Sequence, residues 1–255
     1  METLKKYFEI IYILWLRQLK KYYRSRARMV GSLAQPVLFL VALGFGFGPI
    51  YQKAGGGNYL QFIAPGIIAM SIIFTAMFTG IEVIYDKQFG FLKETLVAPV
   101  PRWTIMLGRT FGGATVATLQ GIVVFFIALL IGFRPENITL APLAIVYMIL
   151  IATFFTALGT AIASKMDDMQ AFPLIINFLI MPLFFLSGAL FPLNGLPKAI
   201  QTITYLNPLS YGVDGIRGIL SGQMHFTFQA DFFVLLTFAL IVLAIGSYLF
   251  SKIEV

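Results

Sequence analysis

Charged residues along this chain are separated by long stretches that contain none. Six windows lack Asp, Glu, Lys and Arg: Met29–Gln52, Ala54–Ile81, Thr110–Phe133, Asn137–Ser164, Met169–Pro197 and Phe232–Ser251. Each reaches the roughly 20 residues that a helix needs to cross a bilayer. A charge at a helix centre costs about 2.5–3.5 kcal/mol on insertion scales, so clean windows of this length predict transmembrane helices. The pattern predicts an all-α polytopic membrane protein, one domain over 1–255, with six spans at 29–52, 58–84, 104–133, 139–164, 170–191 and 231–251. A further charge-free run, Ala199–Val213, is too short to cross and holds the turn pair Asn207-Pro208.

Residues 1–28 follow a different pattern. The apolar run Ile10–Leu16 is short, follows Glu9 and leads into "RQLKKYYRSRAR" instead of a small-residue cleavage site, so it does not read as a signal peptide. It reads as an amphipathic helix at the inner membrane interface, with Tyr12, Trp15, Tyr22 and Tyr23 at headgroup level and its basic residues near anionic lipid. A plain stop-transfer anchor is the alternative.

Charge then sets orientation. With the amino terminus inside, the inner side collects Lys5, Lys6, Arg17, Lys20, Lys21, Arg24, Arg26, Arg28, Lys87, Lys93, Arg102, Arg109, Lys165 and Lys252, and the outer side only Lys53, Arg134, Lys198 and Arg217. Positive residues favour the cytoplasmic side, which predicts a multi-pass protein of the cell (inner) membrane with both termini cytoplasmic. The net charge of +7 is thereby a topology signal, and nucleic acid is not needed as a partner. Composition agrees: 59% of residues are hydrophobic and 11% charged, against about 25% charged in soluble domains. Mean hydropathy is +0.88. The absence of cysteine excludes disulfides, thiolate metal sites and Cys nucleophiles.

Catalytic chemistry has little to work with. The one histidine, His225, falls in an expected outer loop, so no catalytic or metal residue is assigned. Ion-coupled carriers place ionisable groups within spans, and here the span centres hold none; Glu82 is expected at the inner end of the second span, in reach of water, and Asp231 at the start of the sixth. "GTAIASKM", Gly159–Met166, lacks the second glycine of a phosphate-cradling loop. The pairs Gly44/Gly48 and Gly108/Gly112 have the small-xxx-small spacing of close helix contacts. Gln120 and Asn177 lie nearest the middle of their windows, as interhelical hydrogen-bonding groups or as lining of a substrate path.

Between the second and third spans, "DKQFGFLKETLVA" sets Asp86, Lys87, Lys93 and Glu94 among Phe89, Phe91, Leu92 and Leu96, and "PVPRW" at Pro99–Trp103 closes it. Periodicity leaves two readings open: an element that docks apolar side chains in a partner's groove, or a solvated loop on the lipid surface. "GFLKETLVAPVPRWTIMLGR", Gly90–Arg109, resembles the cytoplasmic loop of permease subunits of type-two ATP-binding-cassette (ABC-2) exporters. "FPLNGLPKAIQTITYLNPLSYGVDGIRGIL", Phe191–Leu220, resembles the outer segment of the same family, and the likeness is greatest to its drug-export branch.

That resemblance implies a second permease copy and two cytoplasmic ATPase subunits, which carry ATP and Mg while this chain binds no cofactor. It implies a coupling helix at 86–97 that seats Asp86, Lys87, Phe89, Phe91, Leu92, Lys93 and Glu94 in the ATPase, and a smaller contact at Ser164–Gln170 with Asp167 and Asp168. It also implies a re-entrant outer segment over 192–225, hinged at Asn207-Pro208. The first outer loop, Tyr51–Asn58, is too short for the large outer domain of some relatives. On a helix Tyr211, Asp214 and Arg217 share a face, so Asp214 is expected to pair with Arg217 and to accept from Tyr211, making an outer gate with Asn207 and Pro208. The function implied is export of an amphipathic substrate such as a drug, lipid or glycan; a lipid-modifying enzyme and a secondary carrier are the alternatives.

Overall fold

The computed structural model describes residues 2–55, 57–97, 100–193 and 197–253. Gly56 of the first outer loop, Pro99 of the "PVPRW" element and Leu196 of the outer segment lie outside the described residues. Among the described residues the chain is all-helical: α1 Glu2–Arg24, α2 Arg26–Gly46, α3 Gly48–Lys53, α4 Tyr59–Phe78, α5 Ile81–Gln88, α6 Phe91–Val97, α7 Arg102–Ile131, a 3-10 turn Ile138–Leu140, α8 Ala141–Ala163, α9 Ala171–Phe185, α10 Lys198–Leu206, α11 Pro208–Ser221 and α12 Phe228–Ser251.

Among the described residues, five helical stretches are long and apolar enough to cross a membrane: α2, α4 with α5, α7, α8 with its leading turn, and α12. The fifth expected span, 170–191, differs. Only 15 residues of it, α9, are helical. At 1.5 Å per residue this is about 22 Å, less than the hydrocarbon thickness of about 30 Å. Pro182 sits in its last turn, and the chain then leaves through Gly188 at φ +74°, a left-handed conformation that glycine adopts without steric cost.

The core forms around α4, which is buried on nearly every side by α7, α8, α2 and α11. An all-apolar helix must be surrounded in this way, by protein or by lipid. Its approach to α8 is backbone-close: a Cβ on Gly80 would lie 2.5 Å from the carbonyl oxygen of Gly159, and one on Gly159 2.6 Å from that of Met77. Gly159 therefore belongs to a packed helix and not to a loop.

The expected pair Gly108/Gly112 receives α1. A Cβ at those positions would meet Leu14 at 2.8 Å and Gln18 at 2.7 Å. Contacts of α1 climb α7 from Tyr7 on Trp103, ring centroids 5.7 Å apart, through Trp15 Nε1 donating to Thr115 Oγ1 at 2.9 Å, to Tyr22 beside Gln120. The amphipathic helix thus follows α7 for about 25 Å.

Candidate functional site

Two polar regions stand out, at opposite ends of the bundle. The first is built where α1, α2, α5 and α7 meet. Glu82 and Asp86 occupy one face of α5 at i, i+4 spacing, and both are buried. Glu82 is held by Arg28 Nη1 at 2.7 Å and Lys21 Nζ at 3.2 Å. Asp86 accepts from Arg109 Nη2, itself buried, and lies 3.3 Å from Arg17 Nη2. Glu82, expected to reach water, is instead closed in by cations from α1 and α2. An inward-facing carboxylate needs such partners, because a buried charge without one is costly.

This cluster supports the segment 86–97. Its first residues end α5, Gly90 breaks the helix at φ +80°, and α6 resumes at Phe91. Asp86 and Leu92 face inward, so neither is free to dock. The outward members are Phe89, 65% exposed, Phe91, 52% exposed, Lys93 and Glu94. Lys87 pairs with Asp167 at 2.5 Å, and Gln88 Nε2 donates to the Asp167 carbonyl at 2.5 Å, so the 164–170 turn sits beside the segment. The Asp168 carboxylate caps that turn by accepting from Gln170 N at 2.7 Å.

Further along α7, Gln120 is buried and its Oε1 accepts from the Tyr22 hydroxyl. Burial raises the Tyr22 phenol above its ordinary pKa, with Ser32 and Arg28 pulling the other way, which keeps it the neutral donor. Gln120 Nε2 has no partner. Asn177, the other residue expected on a substrate path, is exposed on α9 between Ile175 and Phe178, which are also exposed, so the two amides do not meet.

The second region is α11 and its surroundings. Local sequence explains its ends: Asn207 Oδ1 accepts from Leu209 N at 3.0 Å, Pro208 opens the helix, and Gly222 leaves it at φ 66°. Gly212 faces Ile151 and Gly215 faces Tyr147, so α11 runs antiparallel to α8 and begins deeper than Ile151, about 15 Å along that helix from Ala141. Asn207 Nδ2 ties this deep end to the Leu183 carbonyl at 2.6 Å.

The expected Tyr211–Asp214–Arg217 set does not form. Arg217 is buried and donates to three backbone carbonyls, Phe62 at 3.2 Å, Gly188 at 2.9 Å and Ala189 at 3.3 Å, with its guanidinium 4.0 Å from the Phe62 ring centre. Asp214 accepts from His225 N at 2.9 Å and Phe226 N at 2.8 Å, and the Tyr211 hydroxyl donates to the Tyr205 carbonyl at 2.8 Å. Backbone groups of α4, α10 and the turns at 188–189 and 225–226 take the place of the same-face neighbour, because polar groups in an apolar interior must find partners. Asp231, which the sequence pattern places only at the start of the sixth span, lies on α12. It is fully buried, and neither carboxyl oxygen has a partner.

Among the described residues no group of three or more His, Cys, Asp and Glu could hold a metal ion. A family model described as "ABC-2 type transporter" matches residues 9–221. Nodulation protein J of Rhizobium leguminosarum bv. trifolii is 30% identical over 214 residues, covering 83% of this chain and 79% of that protein. Putative transport permease ycf38 of Cyanophora paradoxa is 27% identical over 264 aligned positions, covering 97% and 89%. Inner membrane transport permease YadH of Escherichia coli (strain K12) is 29% identical over 217 residues, covering 83% and 82%.

Proposed function

The chain belongs to the ABC-2 type transporter family and is a membrane transport permease, and from that premise we propose that it works as the non-catalytic permease subunit of an ATP-driven exporter. Two copies join two cytoplasmic ATPase subunits, which hold the ATP and Mg. The chain crosses the cell (inner) membrane six times, with α9 and the turn after it as the fifth passage, and keeps both termini cytoplasmic. The uneven Lys and Arg distribution supports this orientation. An amphipathic substrate moves outward.

One observation carries the coupling role: Phe89 and Phe91 stand exposed on either side of Gly90, on a mount whose Asp86 is fixed to the buried Arg109. Exposed aromatic side chains on a rigid base are what a docking groove recognises, while the exposed Lys93 and Glu94 set register. The 164–170 turn, tied on by Lys87 and Asp167, extends the same face. When ATP closes the partner subunits, α5 and α6 move as a unit. The ion pairs of Glu82 and Asp86 pass that motion to α1, α2 and α7. At the other end, α10 and α11 form an outer gate that swings at Asn207-Pro208.

Co-expression of the tagged chain with a candidate ABC ATPase subunit, followed by native mass measurement, tests the assembly. Two permeases with two ATPase subunits are expected. An active complex with one permease copy would contradict the proposal.

A further inference from the structure

A groove of about 430 Å³ opens between α2 and α4, and Tyr22 of α1 also lines it. That volume falls within the roughly 300–1,000 Å³ typical of small-molecule sites. One wall runs from Met70 of α4 to Ile81 at the start of α5, with Phe74 and Phe78 between them. Those eleven steps rise about 16 Å, half of the about 30 Å hydrocarbon core, which is the depth of one leaflet. The other wall is low: a Cβ on Gly31 would meet nothing within 4 Å.

The two ends of the groove differ in polarity. At the Arg28 end it adjoins a second hollow lined by Arg17, Lys21, Glu82 and Asp86. With Arg109, the cluster there sets four cations against two carboxylates, a surplus of positive charge at the mouth of an apolar slot. Only Nη1 of Arg28 is engaged with Glu82, whereas a guanidinium has five N–H donors and matches phosphate well.

We propose that this groove binds an anionic amphiphile from the cytoplasmic leaflet, headgroup at Arg28 and apolar chain along Phe74 and Phe78, and that this ligand is the class of cargo the permease exports. The binding site stands on the groove itself; the role of its ligand as cargo rests on the transport reading.

The test uses the full chain in neutral-lipid nanodiscs, with a phosphatidylglycerol analogue carrying a photoreactive group on its acyl chain and the matched phosphatidylcholine analogue. Attachment to α4 should favour the anionic probe about tenfold, the value of one charge-assisted hydrogen bond. Gly31→Leu should reduce attachment to background, and Arg28→Gln should remove the headgroup preference while tail labelling persists. Equal labelling by both probes, or labelling unchanged by Gly31→Leu, would overturn the site. In the ATPase complex, Gly31→Leu should also stop ATP-driven export of the anionic probe. Export that continues would overturn the cargo assignment and leave the ligand a resident lipid. Attachment without ATP-driven export by any complex would defeat the transport reading and leave the binding site standing.

Discussion

In the proposed orientation, the inner polar region around α5 and the outer one around α11 solve the same problem in opposite ways. At the inner end, every buried carboxylate meets side-chain cations from other helices: Glu82 meets Lys21 and Arg28, and Asp86 meets Arg17 and Arg109. At the outer end, the side-chain hydrogen bonds of Arg217 and Asp214 go to backbone groups, and neither carboxyl oxygen of Asp231 has a partner. Ion pairs between long side chains tolerate small shifts of one helix against another. A guanidinium clamped on three carbonyls does not, and must release them together. The inner region is therefore suited to transmitting motion, and the outer one to holding a closed arrangement until it breaks.

Substitutions test this contrast in order of expected size. Asp86→Ala leaves the buried Arg109 uncompensated and should cost about 3–5 kcal/mol in thermal or denaturant unfolding of the purified chain. A loss as small as that of a surface mutant would show that the inner pairs are not a frame. Arg217→Met keeps bulk but removes the donors to Phe62, Gly188 and Ala189, with an expected cost of about 1.5–3 kcal/mol and a leaky outer side in a flux assay. Arg17→Ala, removing the half-exposed partner of Asp86, should cost only about 0–1 kcal/mol. A larger effect would mean that Arg17, and not Arg109, holds Asp86. Asp231→Asn should change stability least and in the stabilising direction, since it replaces an unpartnered buried carboxyl with a neutral amide. If it destabilised as much as Asp86→Ala, Asp231 would have a partner in the working protein.

What the sequence disclosed follows the same divide. Spans were legible because insertion energetics forbid charge within them, so the windows at 29–52, 104–133 and 139–164 correspond to long helices. The small-xxx-small spacing of Gly108 and Gly112 marked a real contact, although spacing could not say that α1 is the helix received there. The close contact of Gly80 with Gly159 is not legible in the sequence, because it joins two distant helices and leaves no local pattern. The i, i+3 logic failed at Asp214 and Arg217 because it sees one helix face and not the open carbonyls at 188 and 189 brought in by the fold. Glu82 and Asp86 carried a usable signal: two acids one turn apart, opposite a strongly basic amino-terminal helix.

The same geometry picks the probe for the central claim, that the exposed face of residues 89–94 couples this permease to its ATPase. Leu92 is buried, so a charge there would disturb packing, whereas Phe91 is half exposed and is itself no member of the ion pairs of Glu82 and Asp86. The decisive measurement is ATP-driven export by complexes carrying Phe91→Asp, with unfolding temperature recorded in parallel. Unchanged thermal stability with export and ATPase co-purification lost is the expected result. Export at the unmutated rate, with the ATPase still bound, would return the segment to a solvated loop and contradict the coupling role.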